Sequence, residues 1–168
     1  KPFKTRDGGV MSLKNLINLV NEETIKKIDP ASVTEEEKEE ISEIVAIASL
    51  KYADSLPYRA TDYVFEIEKF ADLEGKTGSY ILYSTIRMKS LLAKAKEKEI
   101  KQEQMHVING ETEREIVLTI MSLPTILTKS KEAKSLNDVA EYLYKLTALY
   151  NKFYSENKVL VEENKELQ

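Results

Sequence analysis

The feature that most constrains this chain is the stretch Glu74 to Arg87, E-G-K-T-G-S-Y-I-L-Y-S-T-I-R, with the run to Ala95 behind it. Gly75 and Gly78 break whatever precedes, and Thr77 has the hydroxyl of a helix N-cap. A long helix over Thr77 to about Met105 is predicted from there. At roughly 100° per residue its side chains sort into two stripes. Ile81, Thr85, Met88, Leu92 and Ala95 form the expected core face. Tyr80, Tyr83, Arg87 and Lys94 gather on another. Two phenols, a guanidinium and an ammonium on one side suit a surface that stacks on bases and pairs with phosphates. A rim of amphipathic side chains around a bundle core has the same spacing. Both readings stay open at this point.

Composition narrows the fold. With 168 residues, 42% hydrophobic and 32% charged, and only 5 Gly and 4 Pro, the chain suits helices better than a sandwich or barrel. There is no cysteine, which excludes disulfides and thiolate metal sites. No apolar run approaches the ~18 residues of a membrane-spanning helix, so no membrane role is expected. The net charge of -4 argues against a non-specific nucleic-acid coat. It leaves room for a local basic face, and lysines cluster at Lys89, Lys94, Lys96, Lys98 and Lys101. The chain opens without Met and stops after a Glu- and Lys-rich tail, so a piece of a longer protein is expected.

In chain order, residues 1–9 form a polar loop with three basic side chains and a Gly-Gly. Ser12 starts a helix whose apolar positions are Leu13, Leu16, Ile17 and Val20. T-E-E-E at Thr34 is a capping-box start, with Ile41, Ile44, Val45, Ala48 and Tyr52 as the apolar stripe. Pro57 ends that helix. The segment Tyr63-Val-Phe-Glu-Ile fits a short strand or a short helix. Asn109-Gly110 is a turn, and Thr112 begins a helix with Ile116, Val117, Ile120 and Leu123 inward and Pro124 near its end. Ile126 and Leu127 are expected to pack locally. Ser135-Leu-Asn-Asp138 resembles a second capping box. Its helix runs to about Tyr154 with Val139, Leu143, Leu146, Tyr150 and Phe153 on the apolar face. Val159, Leu160 and Val161 offer a docking point in a charged tail. The expectation is an all-α helical bundle.

Most catalytic chemistry is hard to build from these residues. Glu103-Gln-Met-His106 has the Glu-x-x-His spacing of a di-metal bundle, but such sites need two histidines and the chain has 1. Gly75-Lys-Thr-Gly has the composition of a phosphate loop without its six-residue lead or a preceding strand. No nucleophile elbow is present. A self-contained enzyme is therefore disfavoured.

Several segments together resemble the C-terminal part of arginyl-tRNA synthetase, a class I enzyme. P-F-K-T-R-D-G-G and the leucine-rich helix after it resemble the family's degenerate KMSK loop and following helix. K-Y-A-D-S-L (51–56), D-Y-V-F-E-I-E (62–68) and E-G-K-T-G-S-Y-I-L-Y-S-T-I-R (74–87) resemble the entry to its anticodon-binding domain. L-P-T-I-L (123–127) and E-Y-L-Y-K-L-T-A-L-Y-N-K-F-Y (141–154) resemble its later helices. The family usually reads E-G-N-T-G-P-Y-L-Q-Y; here Lys76, Ser79, Ile81 and Leu82 replace Asn, Pro, Leu and Gln.

The resemblance implies a parent that attaches arginine to its tRNA using ATP with Mg. It implies an all-α bundle of the class I synthetase anticodon-binding type and a cytoplasmic location. Residues 1–11 would end the catalytic domain, 12–56 would be connecting helices, and 57–168 would be the anticodon-binding bundle. The resemblance also implies that the N-terminal part of the catalytic domain, with its His-Ile-Gly-His motif, and a further long helix at the C-terminal side are absent from this piece. No aminoacylation by this piece alone is expected. An apolar groove left by that helix would favour dimers or a low melting temperature. Tyr83 and Tyr154 would lie on the tRNA side; Lys94 joins the candidate tRNA contacts from its helical stripe alone. Tyr80 and Arg87 would lie near the junction with the catalytic domain and influence charging. Lys4, Thr5 and Arg6 would sit beside ATP. Structural alternatives remain for single residues: Tyr150 and Phe153 as core, and Arg87 in an ion pair with an acid. The competing reading of the whole is a helical protein-interaction module with no nucleic-acid role.

Overall fold

A stripe of small residues, Ser42, Ala46, Ser49 and Ala53, sets the packing of the first half of the chain. In the computed structural model all four are buried, on a helix that runs Glu35–Ser55. The structure describes residues 11–28, 34–61, 66–70, 72, 74–100, 108 and 110–161. Among them the elements are α1 (Leu13–Lys27), α2 (Glu35–Ser55), α3 (Ile67–Phe70), α4 (Gly78–Glu97), α5 (Glu111–Met121), α6 (Leu123–Ala133), α7 (Asn137–Glu156) and a closing 3-10 turn, Val159–Val161. None of the described residues forms a strand. Contacts divide the chain into two compact units, Lys1–Leu82 and Tyr83–Gln168.

In the first unit α1 packs on α2, and α3 lies against both. The Ser12 hydroxyl accepts from the Asn15 N–H at 3.2 Å and caps α1. Val20 is fully buried, as its place on the apolar face predicts, whereas Leu13 at the exposed first turn is not. Thr34 and Glu37 form the expected capping box. The Glu37 N–H donates to Thr34 Oγ1 at 3.3 Å, and the Thr34 N–H donates to Glu37 Oε2 at 2.9 Å. The Thr34 N–H first, and then the Thr34 hydroxyl, which also donates to Glu37 Oε2 at 2.9 Å, hold the Glu37 carboxyl below the usual glutamate range.

The apolar stripe expected for α2 is displaced. Ile41 and Ile44 are exposed, and the contact face lies one residue on, at Ser42, Ala46, Ser49 and Ala53, with Tyr52 beside it. Small side chains let a neighbouring backbone come close. The first turn of α4 does so: a Cβ on Gly78 would lie 2.5 Å from the Ala48 carbonyl oxygen. There the Ser49 and Ser79 hydroxyls, both buried, hydrogen-bond at 2.9 Å. Thr77 is the cap of α4, accepting from the Tyr80 N–H at 3.1 Å while donating to the Asp72 carbonyl at 2.6 Å. Gly75 has φ +75°, which suits glycine.

In the second unit α7 packs against α5 and α6, and α5 touches α6. The Thr112 hydroxyl at the start of α5 donates to Glu156 Oε2 at the end of α7, 3.1 Å away. The buried positions are Ser84, Thr112, Thr119, Ser130, Ser135, Ala140, Tyr142 and Thr147, mostly small or hydroxyl-bearing. The expected inward Ile120 and Leu143 are exposed, while Tyr150 and Phe153 are half-buried.

Three boundaries differ from expectation. Pro124 does not end a helix; it sits in the first turn of α6, where a missing N–H costs nothing, and Ile126 and Leu127 belong to that helix. Ser135 makes no capping box: Leu136 is the N-cap of α7 without a side-chain bond, and the Ser135 hydroxyl donates to Asn137 Oδ1 at 2.8 Å. Helix α4 stops at Glu97 rather than near Met105. It closes with Glu99 at φ +58° and a bond from the Ile100 N–H to the Ala95 carbonyl at 3.0 Å. The expected core stripe of α4 is also only partly covered. Thr85 and Leu92 are exposed, and the buried positions are Gly78, Ser79 and Ser84. Those two serines lie where other helices come closest, at α2 for Ser79 and at α7 for Ser84.

Candidate nucleic-acid interface

Within the second unit, the α4 residues Tyr83 and Arg87 meet the α7 residues Asn151 and Tyr154. Tyr83 and Arg87 are one helical turn apart, so their side chains share a face. Asn151 and Tyr154 share a face in the same way. The Arg87 guanidinium carbon lies 4.7 Å from the Tyr83 ring centroid and 5.1 Å from that of Tyr154. Both distances are within cation–π range. Arg87 Nη2 donates to the Tyr83 hydroxyl at 2.9 Å, and Nη1 donates to Asn151 Oδ1 at 3.2 Å. Asn151 Nδ2 donates to the fully buried Ser84 hydroxyl at 2.7 Å.

The rings remain open to solvent: Tyr83 is 46% and Tyr154 39% exposed. Among the described residues Arg87 has two phenols and an amide around it and no carboxylate in bonding range. Among the described residues, then, the ion-pair alternative for Arg87 is not realised. Two of its five N–H groups are engaged there, which leaves three for a ligand. Tyr150 lies beside Tyr154, with ring centroids 6.0 Å apart and 41° between planes. Its buried hydroxyl has no hydrogen-bond partner among the described residues. Burial, then the neighbouring Tyr154, push the Tyr150 phenol above its usual pKa, and the Arg87 charge opposes them.

Of the residues singled out from sequence, the structure thus brings together Tyr83, Arg87 and Tyr154. Tyr80 is half-buried in the first turn of α4, within the first unit. Lys94 is exposed seven residues beyond Arg87, about 10 Å along the axis, and outside the cluster. Lys4, Thr5 and Arg6 lie outside the described residues, as does His106. Sequence reasoning missed Asn151 and Ser84. Asn151 sits between Tyr150 and Tyr154 in the quoted Y-N-K-F-Y run, but only the approach of α4 gives it a role.

This face lies in the stretch that matches a known family. Residues 81–168 match the DALR anticodon binding domain. The chain belongs to that family. Residues 1–67 match the class I (R) tRNA synthetase catalytic domain. The whole chain is 34% identical to an arginine–tRNA ligase of Agathobacter rectalis and spans 30% of its length. Over 96% of the chain it is 37% identical to an arginine–tRNA ligase of Alkaliphilus oremlandii, of which it spans 28%. The chain thus covers under a third of the length of these curated relatives. It superposes with TM-score 0.79 on arginyl-tRNA synthetase of Thermus thermophilus, at 20% identity over 95% of this chain and 28% of that one. The Plasmodium falciparum arginyl-tRNA synthetase gives 0.76, at 24% identity over 94% of this chain and 28% of that one. The shared fold is the helical one of the DALR domain; of the segments that carried the resemblance, 51–56, 123–127 and 141–154 lie within the matched regions, and 74–87 enters the second from residue 81. None of the described helices is long and apolar enough to cross a membrane.

Proposed function

We propose that this chain is the tRNA-binding part of an arginine–tRNA ligase, whose whole protein joins arginine to its tRNA at the expense of ATP. The observation that carries the reading is the Arg87 guanidinium held between two exposed phenols with no counter-ion among the described residues. A structural arginine normally meets a carboxylate. One presented between aromatic faces offers a ligand positive charge and stacking area together. An unpaired anticodon loop supplies the matching chemistry, namely splayed bases and closely spaced phosphates.

In this reading Tyr83 and Tyr154 stack on loop bases, Arg87 meets a phosphate or base edge, and Lys94 extends the basic track along α4. Tyr80 lies toward the catalytic part, which is the other partner. Residues 1–11 close the catalytic domain, 12–56 connect, and 57–168 hold the anticodon arm; the matches support a catalytic part followed by an anticodon-binding part, the first running on through 12–56 to residue 67 and the second starting at 81. ATP with Mg and arginine would bind in the catalytic part, with Lys4, Thr5 and Arg6 beside ATP, and this chain alone would not aminoacylate. A cytoplasmic location follows from that role. Self-association is a further property we propose. Ile108, Leu118 and Met121 expose apolar surface around a depression of about 600 Å³ at α5, and sedimentation across concentration tests it.

The test is a titration of the chain with an arginine tRNA transcript and an anticodon-substituted copy at low and moderate salt. Base stacking on an aromatic is worth about 1–3 kcal/mol per base. Tyr83→Ala and Tyr154→Ala should therefore each weaken binding roughly 5- to 150-fold, while Tyr83→Phe retains the stack. Absence of binding by a folded chain at both salts would count against the reading and favour a protein-interaction module.

A further inference from the structure

Asn151 carries the furthest step, and the step rests on the tRNA-binding reading above. A guanidinium only donates hydrogen bonds, so the Asn151 oxygen must face Arg87 and its NH₂ must face Ser84. The amide therefore has one orientation. It is fixed from below by a hydroxyl that is 0% exposed and belongs to the helix that carries Arg87. Arg87 in turn is held at both ends, by Asn151 at Nη1 and by the Tyr83 hydroxyl at Nη2. A long flexible side chain is thus pinned in one place against two rings. The holding group is neutral. A carboxylate in the same place would hold the guanidinium as well or better, but it would cancel the charge that a phosphate needs.

We propose that Asn151 is a positioning residue for tRNA binding: it presents Arg87 pre-organised between Tyr83 and Tyr154 without neutralising it. Asn151 need not touch the RNA. The geometry separates two things that the residue supplies, orientation and neutrality, and each has its own signature in the salt dependence of binding. Each phosphate contact to a single strand contributes about 0.7 to the slope of log affinity against log salt.

The experiment measures affinity for the arginine tRNA transcript across a salt series for the parent chain, Arg87→Ala, Asn151→Ala, Asn151→Asp and the Arg87→Ala/Asn151→Ala pair. Melting curves accompany each. Arg87→Ala should weaken binding roughly tenfold and lower the slope by about 0.7. Asn151→Asp should lower the slope by a similar amount while its melting temperature stays close to the parent's. Asn151→Ala should weaken binding yet keep the slope, because the charge remains. It should add nothing once Arg87 is gone. Asn151→Asp with an unchanged slope and affinity overturns the proposal. So does an Asn151→Ala effect of the same size with and without Arg87. If Arg87→Ala itself leaves affinity and slope unchanged, the tRNA-binding role of this face fails, and the role of Asn151 falls with it.

Discussion

Substituting Gly78 by alanine should destabilise the chain, although a glycine-to-alanine change in a helix is usually stabilising. Alanine is favoured over glycine in a helix interior by about 0.8–1.0 kcal/mol. At Gly78, however, the new Cβ would sit 2.5 Å from the Ala48 oxygen, 2.7 Å from the Ala48 carbonyl carbon and 2.7 Å from the Ser49 Cα. All three are backbone atoms, so no side chain can swing away. Ordinary contact begins at 3.4 Å, and 3.4 less 2.5 leaves 0.9 Å for the helices to separate. Overpacking of that kind costs about 1–3 kcal/mol. The same displacement stretches the 2.9 Å Ser49–Ser79 bond past hydrogen-bonding range, and a buried bond of that type is worth about 1 kcal/mol. After the propensity gain the net loss is about 1–3 kcal/mol, a sizeable share of a domain's typical 5–15. Gly75 is the matched control. Its φ is +75° with nothing within 4 Å of a Cβ, so Gly75→Ala costs only the left-handed backbone, about 1 kcal/mol, and Gly75→Asn costs less. Urea unfolding followed by circular dichroism gives the three midpoints. A Gly78→Ala midpoint at or above the parent's, with Gly75→Ala lowered, would show that α2 and the first turn of α4 do not meet as described.

Tyr150→Phe should leave stability at neutral pH unchanged or raise it by up to about 1 kcal/mol, since the buried hydroxyl has no partner among the described residues. The raised phenol pKa means that the folded state holds this proton more tightly. Its contribution is complete below pH 10 and is lost as pH rises through the higher folded value, so the variant should lose less stability than the parent in alkaline titration. The opposite sign applies to Glu37. Its lowered carboxyl stabilises the fold above the ordinary value near 4.5 and stops doing so as pH falls through the folded one, so Glu37→Gln should flatten the acid limb of a melting-temperature profile. Lys134, at φ +50°, closes α6 with its N–H on the Lys131 carbonyl and the Ser135 N–H on that of Ser130. Lys134→Gly relieves that left-handed backbone and should raise the melting temperature by about 1–4 °C.

Local chemistry was readable from the residues alone. Ser12, Thr34 with Glu37, and Thr77 all cap the helices predicted for them, because a cap is closed by atoms three residues away and needs nothing from the rest of the fold. Tyr83 and Arg87 were legible as one face for the same reason, a helical turn being a property of the chain itself. Tyr154 came from resemblance, since nothing local joins positions 87 and 154. Only the tertiary structure decided which faces are buried. On α2 the seam runs through serines and alanines, and Ile41 and Ile44 are left outside, because the closeness of the neighbouring backbone selects small side chains over apolar ones. The Ser135 cap failed for a local reason instead: its hydroxyl turns to Asn137, two residues on. Asn151 is the clearest case of a tertiary decision: its sequence neighbours mark it as one more polar residue on a helix. Its hydrogen bonds to Ser84 and Arg87 span 67 and 64 residues, and no local pattern encodes a contact of that range.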